Sequence, residues 1–244
     1  MSRTRSRGAK AVGLLGEVML TLAALVALFL VWQLWWTDVV SQRGQDQILG
    51  ELDQGWGDLD TQRIAPPQAG DPPVIDTPED GVVWGTLWVP DFPRERIPLA
   101  EGVDRERVLN VKGAGHYPQT ALPGEVGNFS VAGHRNTYGR PFYDIASLRK
   151  GSVLVVETEK TFYIYKVTAS EVVEPSDVGV IAPDPDDPSA EPSRRLLTLT
   201  ACHPMYSDRE RYIVHAELTS WTKREDGIPK ELVGTSAAPA DGGA

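Results

Sequence analysis

From Val18 to Thr37 the chain runs for 20 residues without a charged side chain, and the run closes on Trp32, Trp35 and Trp36. At about 1.5 Å of rise per residue a helix of that length covers roughly 30 Å, the thickness of a bilayer's hydrocarbon core. A removable secretory signal is the competing reading. Its apolar stretch would be shorter, about 7–15 residues, and would end in a small-x-small cleavage site rather than in tryptophans, which suit a membrane interface. The stretch 18–37 is therefore read as a single transmembrane helix. It follows a basic segment, 1–17, carrying Arg3, Arg5, Arg7 and Lys10. Positive charge on that flank and acidic residues on the other predict a cytoplasmic N-terminus and an extracellular remainder.

Between Asp38 and Asp80 stand ten acidic residues against Arg43 and Arg63. Most of the chain's formal net charge of −10 thus lies in this segment. Ile48, Leu52, Trp56 and Leu59 share a helical face, but Gly50, Gly55 and Gly57 weaken any helix. Pro66, Pro67, Pro72, Pro73 and Pro78 then favour an extended spacer. The segment 38–80 reads as an acidic, proline-rich stalk, with a partner-binding helix as the alternative. At the other end, 221–244 reads as a flexible tail, small and polar from Gly234 onward.

What remains, 81–220, is long enough to bury a core of its own. Short runs rich in Val, Ile, Thr and aromatics, bounded by Gly, Pro or Asp, mark strands at Thr86–Val89, Phe129–Gly133, Ser152–Glu157, Phe162–Val173, Arg195–Cys202 and Tyr212–Leu218. One short helix is expected at Tyr143–Leu148, and no long helical period or internal repeat is visible. Closely spaced short strands predict an all-β domain, a closed or nearly closed barrel.

The acidic balance argues against nucleic acid as a partner, since that requires a basic face to displace counterions from phosphates. One cysteine excludes an internal disulfide and a multi-thiolate zinc site. Cys202 is then either a buried filler or a reactive thiol. Alternation along Arg195–Cys202 puts Leu197, Leu199 and Ala201 on one face and Thr198, Thr200 and Cys202 on the other. The apolar set belongs to the core, so the thiol stands on the polar face at a strand's end. Arg211 begins the next run, and a hairpin turning at Pro204–Asp208 brings it beside Cys202. There a guanidinium stabilises negative charge, or else makes a surface salt bridge, as is expected of Arg209.

Four histidines are candidates for a base. His134 ends a strand beside polar loop residues Arg135 and Asn136. His203 adjoins the cysteine but points to the opposite face. His215 is mid-strand and expected to pack or to pair with Glu217. His116 is a loop residue able to line a pocket. No histidine has the short spacing to Cys202 that a zinc site would need.

Thr198-Leu-Thr-Ala-Cys202 with Arg211 downstream, and Ala132-Gly-His134-Arg135, resemble the signature segments of the sortase family. The stretch His116–Asn128 and the tripeptide Cys202-His-Pro204 are similar to class E sortases of high-GC Gram-positive bacteria, while Ala201 replaces a threonine common elsewhere in the family. The resemblance implies an eight-stranded sortase-type barrel and a membrane-anchored cysteine transpeptidase needing neither cofactor nor metal. It would cleave a C-terminal sorting signal of LAxTG or LPxTG type between Thr and Gly. The protein so released would pass to an amine on a lipid II-like peptidoglycan precursor. Carried over by position, Cys202 is the nucleophile, His134 the general acid/base and Arg211 the oxyanion donor. Tyr117, Tyr138 and Thr200 are candidates for contact with the signal, although either tyrosine ring fits core packing as well. The segment Glu174–Arg194 resembles the loop that walls the family's substrate groove. Its Asp184, Asp186 and Asp187 read as a solvated acidic loop rather than a Ca²⁺ site. Two rivals stand beside this reading: another extracytoplasmic cysteine hydrolase or transpeptidase, and a non-catalytic extracellular β-domain.

Overall fold

The computed structural model describes residues 7–68 and 70–238; Arg3, Arg5, the side chains of Arg7 and Trp35, and the tail residues 239–244 lie outside the described residues. Helix α1 (Arg7–Trp56) is followed by eight strands: β1 (Val83–Trp88), β2 (Arg96–Glu101), β3 (Ala114–His116), β4 (Gly127–Gly133), β5 (Val153–Glu157), β6 (Thr161–Val173), β7 (Arg195–His203) and β8 (Glu210–Lys223). They close into a barrel in the order β1-β2-β3-β4-β7-β8-β6-β5, which leaves no free sheet edge. Two pairings, β2 with β3 and β4 with β7, are parallel. Leu87, Leu99, Phe129, Val131, Leu154, Val156, Tyr163, Leu197, Leu199 and Val214 fill one continuous core.

Strands β2 and β3 were not expected from local pattern. Pro98 interrupts β2, and β3 has only three residues with Gly115 at its centre. Gly115 is required there, because a Cβ would come within 2.2 Å of the Gly102 carbonyl oxygen. The helix expected at Tyr143–Leu148 is a single 3₁₀ turn, Ile145–Ser147.

The larger departures concern the segments flanking the barrel. The helix does not stop at Thr37 but continues through the first half of the expected stalk to Trp56, past Gly44, Gly50 and Gly55. Up to Trp32 its apolar side chains are uncovered by protein, as with Leu20 at 73% exposed, and the helix is long and apolar enough to cross a membrane. Beyond Thr37 it lies on the barrel. Asp38, Asp46 and Asp53 pair with Arg140, Arg94 and Arg96, at 3.0, 2.7 and 2.7 Å. The second half of the segment also follows the barrel: Ala65 N–H donates to the Ile228 carbonyl, Gln68 N–H to the Trp221 carbonyl, and Tyr163 Oη donates to the Pro73 carbonyl. Half of the ten acidic residues of 38–80 thus pair with barrel arginines, and tertiary pairing outweighs the helix-weakening glycines.

The tail is corrected likewise. Residues 221–223 belong to β8, and Ile228 and Leu232 are fully buried. Arg224 reaches the carbonyls of Trp56 and Gly57, at 3.1 and 3.2 Å, and so satisfies the end of α1, while its Nε donates to Glu157 at 3.1 Å. Glu157 is fully buried and also accepts from Thr86, Trp88 Nε1 and Arg96. Removing one partner from such a cluster strands the others. Glu157→Ala is expected to lower unfolding stability by about 3–5 kcal/mol in denaturant titrations, whereas a loss below about 1 kcal/mol would mean that water satisfies the arginines instead.

Candidate active site

Three adjacent strands converge at one end of the barrel. In the parallel pairing of β4 with β7, Ala132 lies level with Thr200. His134 and Cys202, each two residues further on, therefore leave the barrel side by side. In the antiparallel pairing of β7 with β8, Cys202 and Arg211 are direct partners, so their side chains share a face. Ala201 is buried in the core and Cys202 is a partly exposed free thiol, as the alternation predicts. A cleft of about 580 Å³ is lined by His134, Cys202, Arg211, Tyr117 and Thr200, with Arg105 and Asp208 at its margin.

Among the described residues, the cleft arginines Arg105, Arg135 and Arg211 make no ion pair. Arg211 Nη1 donates to the carbonyls of Asp208 and Glu210, at 2.8 and 2.9 Å, so the β7–β8 turn fixes the guanidinium without neutralising it. His134 is largely buried. Burial, and secondarily the charge of Arg105, push its pKa down to about 4 from the ordinary 6.5. Its Nε2 lies 2.7 Å from Asn110 Oδ1. A neutral ring donates from Nε2 to that oxygen, which leaves Nδ1 as the basic nitrogen.

Of the tyrosines singled out in the sequence, Tyr117 lines the cleft, with Oη 3.1 Å from Thr200 Oγ1. Tyr138 packs its ring against the His134 imidazole, at 5.1 Å between centroids. His116 is not a pocket residue: it is buried on β3, with Nδ1 2.8 Å from Glu101 and Nε2 near Thr120 Oγ1. His215 pairs with Glu171 of β6 at 3.1 Å rather than with Glu217, because strand pairing sets Glu171 alongside.

Residues 87–219 match the family description "Sortase domain". The chain belongs to the sortase family. Sortase SrtE1 of Streptomyces coelicolor is 33% identical over 240 residues, covering 95% of this chain and 64% of that protein. Sortase SrtE2 of the same organism is 35% identical over 234 residues, covering 92% of this chain and 89% of that protein. The solved SrtA sortase from Actinomyces oris superposes with a TM-score of 0.66 at 39% identity, over 71% of this chain and 99% of that one. These relatives place the chain in class E, and its enzyme class is that of a cysteine transpeptidase.

Two residues of this sortase's site escaped the sequence reading. Asn110 comes from the connection between β2 and β3, 24 residues before the histidine it touches, and carries no local signal. Arg135 reads as a loop residue, yet it is only 6% exposed. Its Nη1 donates to the Cys202 carbonyl at 3.3 Å and to His203 Nδ1 at 2.8 Å, and its guanidinium lies over the Tyr212 ring. It ties the end of β4 to that of β7 beneath the thiol. The one available signal was its position directly after His134. In the loop before β7, Arg194 bonds both Asp184 and Asp186 at 2.6 Å, and this pairing holds the Asp184 carboxyl below its usual range. Asn128 fastens the same loop to the barrel through the carbonyls of Val180 and Ala182.

Proposed function

We propose that this sortase cleaves a C-terminal sorting signal of LAxTG or LPxTG type between Thr and Gly and joins the Thr carboxyl to an amine on a lipid II-like peptidoglycan precursor. The observation that carries the reading is the meeting in one cleft of Cys202 and Arg211, paired across β7 and β8, with His134 from the end of β4. Cys202 Sγ attacks the Thr carbonyl carbon, and the charge that develops on the carbonyl oxygen meets the unneutralised guanidinium of Arg211. Collapse breaks the C–N bond as the Gly amine takes a proton from His134, leaving a thioester on Cys202. A neutral acceptor amine then attacks that thioester, gives its proton to His134 and expels the thiolate. One amide is exchanged for another, so no outside energy source is needed.

The resemblance to class E favours LAxTG, and Tyr117, tethered to Thr200 on the cleft wall, is the side chain proposed to meet the Ala position. The positive charge of the N-terminus supports a cytoplasmic location for it and an extracellular one for the barrel, where sorting substrates and cell-wall precursors would lie. The test is mass spectrometry of LAxTG and LPxTG peptides incubated with the full chain in detergent, with and without an amine acceptor. Cleavage at Thr–Gly, with acceptor incorporated, is expected for LAxTG in preference to LPxTG. Absence of Thr–Gly cleavage in both peptides would return the domain to a non-sorting role.

The burial of His134 also sets a pH dependence. The active enzyme carries one proton between Cys202 and His134, and both placements of that proton share one pH profile. Activity is lost on the acid side when a second proton binds, which for His134 occurs near about 4 rather than 6.5. A bell-shaped kcat/KM measured from about pH 3 to 10 should therefore keep its plateau down to about pH 5. An acid limb at 6.5 would show an imidazole open to water in the working enzyme.

A further inference from the structure

The loop leaving His134 returns to the barrel at Phe142, whose N–H donates to the His134 carbonyl at 3.0 Å and whose ring is fully buried. At its tip stand three consecutive residues of positive φ: Tyr138 at 54°, Gly139 at 80° and Arg140 at 50°. Tyrosine and arginine seldom adopt this conformation, and such turns persist only where their surroundings hold them. Here the surroundings are α1. Gln45, at 1% exposed, is the one buried side chain among the described residues of α1, and its Nε2 donates to the Tyr138 carbonyl at 3.2 Å. Asp38 Oδ1 accepts from Gly139 N–H at 3.3 Å, and Asp38 Oδ2 pairs with Arg140 Nε at 3.0 Å. The Gln45 amide packs so closely that a Cβ on Gly139 would lie 2.9 Å from its nitrogen. The Tyr138 ring held by this turn covers the His134 imidazole.

We infer that the barrel-bound half of α1 is a positioning element for the proposed acid/base: Gln45 and Asp38 clamp the Tyr138–Arg140 turn, and the turn holds the tyrosine ring over His134. The functional side of this inference rests on His134 acting as acid/base. A helix that leaves the membrane-spanning stretch at Thr37 thus reaches the active-site loop at its next residue, Asp38. The transmembrane helix and the catalytic histidine then move as one body, and a barrel cut free of α1 loses the clamp.

The test uses the full chain in detergent micelles, with the histidine ring nitrogens followed by ¹⁵N NMR as pH is varied and His134 assigned from a His134→Gln variant. The groups facing that ring are Arg105, Asn110 and Tyr138, with Cys202, Arg211 and Asp208 around the cleft, and none is altered by the test substitutions. In Gln45→Ala the tyrosine lid loosens and the ring takes up water, so its midpoint should rise from about 4 toward 6.5. With a soluble peptide, kcat should fall roughly tenfold or more while KM changes little, since Tyr138 touches the histidine and not the cleft wall. Gln45→Met, which keeps the volume but cannot donate to the Tyr138 carbonyl at any pH, should shift both in the same direction. Asp53→Ala removes a helix-to-barrel ion pair remote from the loop and should leave both unchanged. An unmoved His134 midpoint in the Gln45 variants, or an equal shift in Asp53→Ala, would overturn the clamp. The ring titration does not depend on turnover. Failure of the acid/base reading would show itself separately, as full activity in His134→Gln.

Discussion

Replacing Cys202 with alanine is expected to reduce Thr–Gly cleavage by roughly 10⁴-fold or more in kcat/KM, the scale on which loss of a covalent nucleophile acts in other acyl-transfer enzymes. An amide bond has a poor leaving group, and in the proposed mechanism the thiol divides its replacement into two easier transfers through a thioester. Among the described residues lining the cleft no other side chain matches it: the hydroxyls of Thr137, Thr200 and Ser207 lack the intrinsic nucleophilicity of sulfur, and Thr200 is already engaged with Tyr117. Because Cys202 is partly exposed while its neighbour Ala201 carries the core contact, stability should stay within about 1 kcal/mol of the parent. Time courses by mass spectrometry, together with the unfolding curve of the variant, separate lost chemistry from lost fold. Persistent cleavage by folded Cys202→Ala would remove the thiol from the mechanism.

Arg211→Ala should lower kcat by roughly 10²–10³-fold, the usual effect of deleting an oxyanion donor. The size of the effect follows from the setting. Its Nη1 rests on two backbone carbonyls and, among the described residues, Arg211 makes no ion pair, so its charge is available to the oxygen that turns negative during attack. Since this interaction strengthens only as charge develops, KM should change much less than kcat. Arg211→Lys should recover only part of the loss, because an ammonium cannot reproduce the planar fork gripped by the turn. Arg209, two residues earlier, serves as the matched control, and its removal should leave both constants within about twofold. Equal losses from Arg209→Ala and Arg211→Ala would point to general charge in the cleft rather than a directed donor.

The parts of this enzyme legible in its sequence are those governed by short-range rules. The uncharged run 18–37, the alternation of Leu197, Leu199 and Ala201 against Thr198, Thr200 and Cys202, and the turn between Cys202 and Arg211 all follow from the spacing of residues along one segment. Each candidate catalytic side chain falls at a strand's end, so the pattern of the strand also placed the residue. Strands β2 and β3 had no such pattern, one holding a proline and the other only three residues. They exist because neighbouring strands on both sides supply the hydrogen bonds that local propensity does not.

What tertiary structure alone decided is the company those residues keep. Asn110 on the His134 ring, Arg135 under Cys202, and Gln45 against Tyr138 join positions separated by 24, 67 and 93 residues. An acidic, glycine-bearing, proline-rich segment reads as a solvated stalk until its partners are known. Here the partners are Arg94, Arg96, Arg140 and Arg195, presented by a barrel whose closure could not be inferred from the segment itself. The same holds for Arg224, whose bonds to Glu157 and to the carbonyls of Trp56 and Gly57 turn an expected tail into part of the fold. Hydrophobic period and strand ends are properties of one stretch of chain, while a salt bridge or a buried amide is a property of two stretches brought together, and folding alone selects the second.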